Sequence, residues 1–214
     1  MKKFILSLLV MGLAVVSVSV FPSAAETGAK SMLGNRSITT KFISKEYGGE
    51  IASQSGKSRF QGFQIGANLF PGQDLDFITE LTYAQVGSED KTWVFDAQVN
   101  PTIHRSITPH IKLLAGAMLG ISTAKSKQQP SVAEYENTEL IWGLNTGAEL
   151  SQGRLTMLLG VNYNWMDEFG DGIEIGVDSN FSLTERISLN SSFAYEHNSD
   201  ALAFGVGLNL RIFN

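Results

Sequence analysis

The sequence predicts an all-β protein, an antiparallel up-and-down transmembrane β-barrel of about ten strands. From Leu75 onward apolar and polar residues alternate, and a period of two places them on opposite faces of a strand. The tryptophans fall on the apolar face, near one end of their segments. After the N-terminal region, no apolar stretch is long enough for a spanning helix, so a membrane-embedded chain of this kind must close into a barrel.

The first 25 residues are predicted to be a secretory signal peptide. Lys2 and Lys3 precede an apolar run over residues 4–20, and Ser23 and Ala25 occupy the small positions of an A-x-A-like cleavage site. The run is short for a spanning helix, which needs roughly 20 apolar residues. We therefore expect cleavage after Ala25, export to the cell outer membrane, and one barrel domain over residues 26–214.

Composition narrows the function classes. Cleavage would remove two of the 16 basic residues and none of the 21 acidic ones, which leaves a net charge of −7. No basic patch supports nucleic-acid binding. Cysteine is absent, which excludes disulfides, thiol catalysis and a lipid-modified cysteine anchor. Many glycines fall on the polar face of the strands, where a narrow lumen leaves little room.

Segments of alternation lie between turn signals, and each is long enough for a tilted transmembrane strand. In chain order they are residues 36–47, 58–70, 75–86, 92–104, 107–122, 138–151, 154–166, 172–183, 186–197 and 201–213. The first two are the least regular. The clearest runs from Leu155 to Trp165, where every odd position is apolar and only Leu158 breaks the polar face. An eight-stranded barrel remains an alternative, in which the first hairpin is not transmembrane.

Tight and longer connections alternate between these strands. The tight ones are Pro71-Gly72-Gln73-Asp74, the stretch about Arg105 and Ser106, Ser151-Gln152-Gly153, and Thr184-Glu185. The longer ones are residues 48–57, 87–91, 122–137, 167–171 and the shorter 197–200. Outer-membrane barrels have short periplasmic turns and longer outer loops, so we expect the tight turns to face the periplasm.

Aromatic residues support the same orientation. Six of them lie on the apolar face at strand ends that adjoin the longer loops: Tyr83, Trp93, Trp142, Tyr163, Trp165 and Tyr195. Indole and phenol rings favour the boundary between bilayer and water, so we interpret these residues as a girdle at the outer-leaflet interface.

The signal peptide, the hairpin rhythm, the girdle and the last strand resemble the small outer-membrane barrels of the OmpA and Opa-like (porin-like) superfamily of Gram-negative bacteria. In that strand the apolar face is Leu202, Phe204, Val206, Leu208, Leu210 and Ile212. The resemblance is architectural. It implies outer-membrane lipid, lipopolysaccharide and the barrel assembly machinery as partners. Members of the superfamily are adhesins, complement-resistance factors, anchors, small pores and occasionally enzymes, so it does not name a function.

The predicted register points seven charged side chains into the lumen: Glu80, Asp96, Lys112, Glu149, Glu174, Asp178 and Arg211. Lys112 and Glu149 are expected at similar depth on neighbouring strands. Side chains largely fill a barrel of eight to ten strands. We therefore interpret these residues as a network of ion pairs, in preference to a catalytic or conducting site.

The candidates for enzymatic chemistry are the three histidines, His104, His110 and His197. His104 and His110 flank the expected periplasmic turn, where we expect them to be solvated. His197 lies two residues before Ser199, a spacing similar to the His-x-Ser motif of outer-membrane lipid A deacylases, but no acid follows Asp200 to orient the histidine. We expect no enzyme, with a deacylase-like hydrolase as the alternative. No metal or cofactor motif is found. The glycines at 205 and 207 follow strand alternation and do not open a helix, so they do not form a phosphate-binding loop.

We therefore expect a barrel that acts through its outer loops, in surface contact or adhesion with a host, another cell or lipopolysaccharide. The loops of interest are residues 48–57 and 122–137. The candidate contact residues in the second are Lys125, Lys127, Tyr135 and Glu136, which combine charge with one aromatic anchor. A narrow passive pore is a further alternative.

Overall fold

The computed structural model describes residues 31–47, 59–72, 74–86, 92–126, 135–166 and 171–212. The predicted signal peptide, residues 1–25, lies outside these ranges. Every regular element in them is a strand, and no helix there is long and apolar enough to cross a membrane. The strands are β1 (Ser37–Tyr47), β2 (Arg59–Asn68), β3 (Leu75–Val86), β4 (Thr92–Thr108), β5 (Ile111–Ser126), β6 (Tyr135–Gln152), β7 (Leu155–Met166), β8 (Gly172–Ser182), β9 (Ile187–Glu196) and β10 (Ala201–Arg211).

The sheet closes into a barrel. Each strand pairs antiparallel with its neighbours in the chain, and β1 pairs with β10 from Ser37↔Arg211 to Tyr47↔Ala201. The first hairpin belongs to the barrel, because β1 also pairs with β2 along its length. The predicted fold class, with ten strands, is confirmed. Because the sheet is closed, no strand edge exposes unpaired backbone N–H and C=O groups to lipid.

The faces of the barrel are inverted relative to a soluble protein. Among the described residues, 13 polar or charged residues are buried, compared with only five apolar residues. The large apolar side chains of the strands are exposed. Leu119, Leu144 and Val206 are each more than half exposed, and Glu149 is 2% exposed. A soluble sandwich would bury the apolar face. An apolar exterior around a polar lumen is the pattern of a transmembrane barrel.

The hairpin between β4 and β5 turns later than predicted. The turn lies at Pro109 and His110, not about Arg105 and Ser106. Pro109 fixes its own φ and has no N–H for the ladder, so the chain turns there. The Thr108 hydroxyl accepts a hydrogen bond from the His110 amide at 3.2 Å.

Glycines allow close approach of neighbouring strands at particular points of the lumen wall. A Cβ on Gly62 of β2 would overlap the carbonyl oxygen of Tyr83 on β3. Gly160 of β7 differs, because a Cβ there would meet only the carbonyl oxygen of Thr146, at 3.7 Å. Gly62 is therefore required for strand packing, whereas Gly160 leaves unfilled space inside the barrel.

Candidate functional site

The two ends of the barrel differ in their connections. The tight turns after β2, β4, β6 and β8 lie at one end, which we call the turn end, and the other connections lie at the loop end. The lumen between the two ends and the rim at the loop end are the places where polar chemistry is available.

Two ion pairs lie inside the lumen. Lys41 Nζ on β1 is 2.6 Å from Asp178 Oδ1 on β8, and Lys45 Nζ is 2.7 Å from Glu196 Oε2 on β9. Neither β8 nor β9 is a neighbour of β1 in the sheet, so both lysines reach past β10. Of the predicted lumen residues, Asp178 is therefore in an ion pair. Its partner Lys41 was not among the predicted residues.

Four other lumen carboxylates are held by uncharged donors. Glu80 accepts from Gln98 Nε2 at 2.8 Å, and Asp96 accepts from the Ser122 hydroxyl at 2.5 Å. The other two follow the same pattern. Glu174 accepts from Asn162 Nδ2 at 3.0 Å, and Glu139 from Asn137 Nδ2 at 2.7 Å.

None of these four carboxylates is within ion-pair distance of a base in the described part of the chain. Glu139 is 7% exposed, and its Oε2 atom has no hydrogen-bond partner. The predicted network of ion pairs is thus only partly formed, because the lumen holds more acids than bases.

Lys112 and Glu149 are paired residues on β5 and β6, at the depth the sequence predicted. Their side chains hold a short segment before β1, residues 31–36, which we call the N-terminal plug. Glu149 accepts hydrogen bonds from the Ser31 hydroxyl at 2.5 Å and from the amides of Met32 at 2.7 Å and Leu33 at 3.2 Å. Lys112 Nζ donates to the Ser31 hydroxyl at 2.8 Å and to the Leu33 carbonyl at 3.2 Å. Arg211, 7% exposed, lies within electrostatic range of Glu149.

A second carboxylate fixes the other side of the plug. The Gly34 amide donates to Asp76 Oδ2 at 2.8 Å, and Gly34 has a φ of 75° that favours glycine. His104 Nε2 is 3.5 Å from the same oxygen. The expectation that His104 is solvated is wrong. Because β4 continues beyond the predicted turn, His104 stays on the lumen face and is 5% exposed, whereas His110 in the turn is exposed.

The predicted girdle residues lie on the outer face near the loop end. Trp142 and Trp165, on adjacent strands, stack with ring centroids 4.3 Å apart. Tyr163 packs edge-on against Trp165 at 4.2 Å, and Tyr83 lies 6.3 Å from Trp93.

The tyrosine hydroxyls of this face point toward the loop end. Tyr163 donates to Asp171 at 2.6 Å, and Tyr195 donates to Asp200 at 2.9 Å. Each ring thus contacts the apolar face while its hydroxyl contacts a loop carboxylate, as expected at a bilayer interface.

The loop between β5 and β6 is shorter than predicted. Lys125, Tyr135 and Glu136 lie on strands, where Lys125 pairs with Glu136 and Tyr135 pairs with Ser126. For Tyr135 and Glu136 only the backbone is described, and Lys127 lies outside the described residues, as do residues 48–58 and 127–134. The alternation of β5 and β6 continues into the polar segment, where charged residues weakened the strand signal.

The His-x-Ser segment does not form a catalytic arrangement in the described residues. The His197 ring lies 6.5 Å from the Tyr195 ring and makes no hydrogen bond to any described carboxylate. Glu196, the nearest acid in sequence, turns into the lumen and pairs with Lys45. No hydrogen bond joins the Ser199 hydroxyl to His197, so the histidine is not positioned as its base. Within the described ranges, no group of three or more His, Asp or Glu residues is arranged to hold a metal ion.

No protein-family model matches the chain, and no curated protein matches it by sequence. Several solved structures have a similar chain path. Neisserial surface protein A is 11% identical, with 83% of this chain and 96% of that chain covered and a TM-score of 0.44. Ail, the attachment invasion locus protein of Yersinia pestis, is 14% identical over 85% and 100% of the two chains, with a TM-score of 0.41.

The outer membrane protease OmpT of Escherichia coli is 10% identical over 88% and 99% of the two chains, with a TM-score of 0.48. Likeness at this level describes the fold alone and carries over no ligand or activity. The resemblance to small outer-membrane barrels is confirmed as a resemblance of fold by the chain's own closed barrel.

Several lumen residues were missed by the sequence reasoning. Lys41 and Lys45 lie four residues apart on the inward face of β1, a signal that was present but hidden because Ile43 between them is apolar. Asp76 follows directly after Leu75 at the start of β3 and is not among the predicted lumen residues. The N-terminal plug had no signal in the local pattern, because its contacts with the barrel join residues 42 to 118 positions apart.

Proposed function

We propose that the protein is an integral outer-membrane barrel that acts as a scaffold, and that its outer loops make contact with a host, another cell or the lipopolysaccharide layer. The observation that carries this proposal is the plug at the turn end of the lumen. The N-terminal plug is bound there, and the pairs Lys41–Asp178 and Lys45–Glu196 bridge the lumen above it. A barrel closed at the turn end in this way offers its recognition surface at the loop end.

Location in the outer membrane is supported by the apolar exterior and by the predicted signal peptide. The large exposed side chains of the strands would be costly in water as a continuous surface, and a bilayer removes that cost. The girdle tyrosines place their hydroxyls toward the loop end. This arrangement supports an outer-leaflet interface at that end.

The β5–β6 hairpin supports the choice of contact loop. β5 and β6 are two of the three longest described strands, with 16 and 18 residues, and they stay paired as far as Ser126↔Tyr135 at the loop end. Residues 127–134 join the ends of this long hairpin. A loop in that position would be accessible to a macromolecular partner.

The experiment replaces residues 127–134 with a short Gly/Ser linker and leaves the Ser126↔Tyr135 pair intact. Loop length adds only slowly to closure entropy, so we expect the barrel to fold. Adhesion of expressing bacteria to cultured epithelial cells, their aggregation with one another, and retention of purified protein on immobilised lipopolysaccharide are then measured. We expect at least one of the three to require the protein and to be lost in the loop variant.

The matched control is the same replacement of residues 87–91, a shorter connection at the same end. It should fold and keep the binding. The proposal fails if the intact protein promotes none of the three interactions, or if binding persists when both 48–57 and 127–134 are replaced in a folded barrel.

A further inference from the structure

The upper part of the lumen contains more acidic side chains than basic ones. Between the N-terminal plug and the loop end, the inward faces of the described strands carry six acids and two lysines. These residues are Glu80, Asp96, Glu139, Glu174, Asp178, Glu196, Lys41 and Lys45. At the level of the plug itself the charges are nearly balanced, with Asp76 and Glu149 against Lys112 and Arg211. The excess negative charge therefore lies along the upper part of the lumen.

Unpaired carboxylates away from bulk water need a counter-charge or water. Glu80, Asp96, Glu139 and Glu174 receive hydrogen bonds from neutral side chains and form no ion pair with a described base. A mobile cation with its hydration water can supply the counter-charge that an ionised carboxylate in such a place needs. Glu139, 7% exposed with Oε2 unpartnered, is the clearest single case.

One level of the lumen wall carries no side chains on three neighbouring strands. Gly147, Gly160 and Gly176 on β6, β7 and β8 are register partners, and a Cβ on Gly160 would have no neighbour closer than 3.7 Å. Glu174 and Asp178 on β8 flank this level, and Lys41 reaches Asp178 from β1. Space for hydration water thus lies beside these carboxylates.

We propose that the upper lumen is a narrow pathway for small hydrated inorganic cations, and that the N-terminal plug closes it at the turn end. Leu33 in the plug is 1% exposed, and the plug is held by hydrogen bonds to Glu149, Asp76 and Lys112. Release of the plug would break these hydrogen bonds and no covalent bond. This function is separate from the surface contact proposed above.

The test compares the mature full-length protein with a variant that lacks residues 26–35, each refolded and inserted into planar lipid bilayers under a KCl gradient. We expect the full-length protein to be almost silent. The deletion variant should show channel events, with a reversal potential of the sign that a cation-preferring pore gives. A heat-induced shift on a denaturing gel checks that both barrels are folded.

Point variants separate closure from folding. Leu33→Asp places a charge beside Glu149 and should release the plug, so it should conduct like the deletion. Met32→Ala is the matched control and should stay silent, because Met32 contributes its backbone amide to Glu149 and Ala keeps that amide. In the deletion background, Glu80→Gln with Glu174→Gln should reduce the cation preference. Glu46→Gln, an exposed position outside the lumen, should leave it unchanged.

Thiol labelling gives a readout that does not depend on conductance. The chain has no cysteine, so Leu33→Cys and Asn35→Cys can each be labelled alone. The buried position 33 should react much more slowly with a maleimide than the exposed position 35. Equal labelling would overturn the docked plug. A folded deletion variant as silent as the full-length protein, an anion preference, or equal conductance of both proteins would overturn the pathway.

Discussion

Adjacent leucines on β7 allow the facing of the barrel to be tested with one substitution at two positions. Leu159 lies on the outer face, opposite Ala148 and Val177, near the middle of the strand. Leu158 faces the lumen, where its register partners are Glu149 and Asp178. Lysine is placed at each position in turn, so the chemical change is identical and only the side of the wall differs.

The expected magnitudes follow from the surroundings. A lysine on the lipid face near the midplane costs about 2–4 kcal/mol, which corresponds to roughly 30- to 700-fold in the folding equilibrium constant. At Leu158 the ammonium would face the carboxylates of Glu149 and Asp178, and lysine is close to leucine in volume. We expect a smaller cost there than at Leu159, because the charge faces a polar lumen and not lipid.

The assay is urea unfolding of each variant from lipid vesicles, followed by tryptophan fluorescence and by the fraction that shows the heat-dependent gel shift. Leu159→Lys should lower the midpoint strongly, and Leu158→Lys should leave it near that of the parent. Equal losses, or a larger loss at Leu158, would refute the assignment of the two faces.

The other predictions concern packing and chemistry. Gly62→Ala should reduce the folded yield in vesicles, because its Cβ would overlap the Tyr83 carbonyl and overpacking costs about 1–3 kcal/mol, whereas Gly160→Ala should fold normally; equal yields would show that the close approach is not real. His197→Ala and Ser199→Ala should leave the lipid A mass spectrum of expressing cells unchanged. A lipid A modification that depends on the intact protein and is lost in either variant would instead identify a hydrolase.

The fold could be predicted well from the sequence, because the alternation of apolar and polar residues is visible within each strand. Alternation on β3 to β10 reports directly which side chains face lipid, and β7 shows this best, with Leu158 alone departing from it. The positions of the strand ends were predicted less well. Polar residues continue the strand beyond the lipid, as at Lys125 and Glu136, and there the alternation no longer separates strand from loop.

The contacts inside the lumen were harder to predict, because they join side chains on strands that are far apart in sequence and lie across the barrel from each other. Lys41 meets Asp178 only because β1 and β10 close the sheet and bring β8 within reach. His104 was assigned to solvent because the turn was placed four residues too early. The plug is held by hydrogen bonds to both Glu149 and Asp76, and no sequence pattern within residues 31–36 predicts either contact.

The measurement that tests the closed membrane barrel most directly is the gel migration of the protein from purified outer-membrane fractions, with and without boiling. Every strand edge is paired in the barrel, so detergent alone should not unfold it. We predict that the unboiled protein migrates differently from the boiled protein and is recovered in the outer membrane. Identical migration, together with recovery in the soluble periplasm, would contradict a closed membrane barrel.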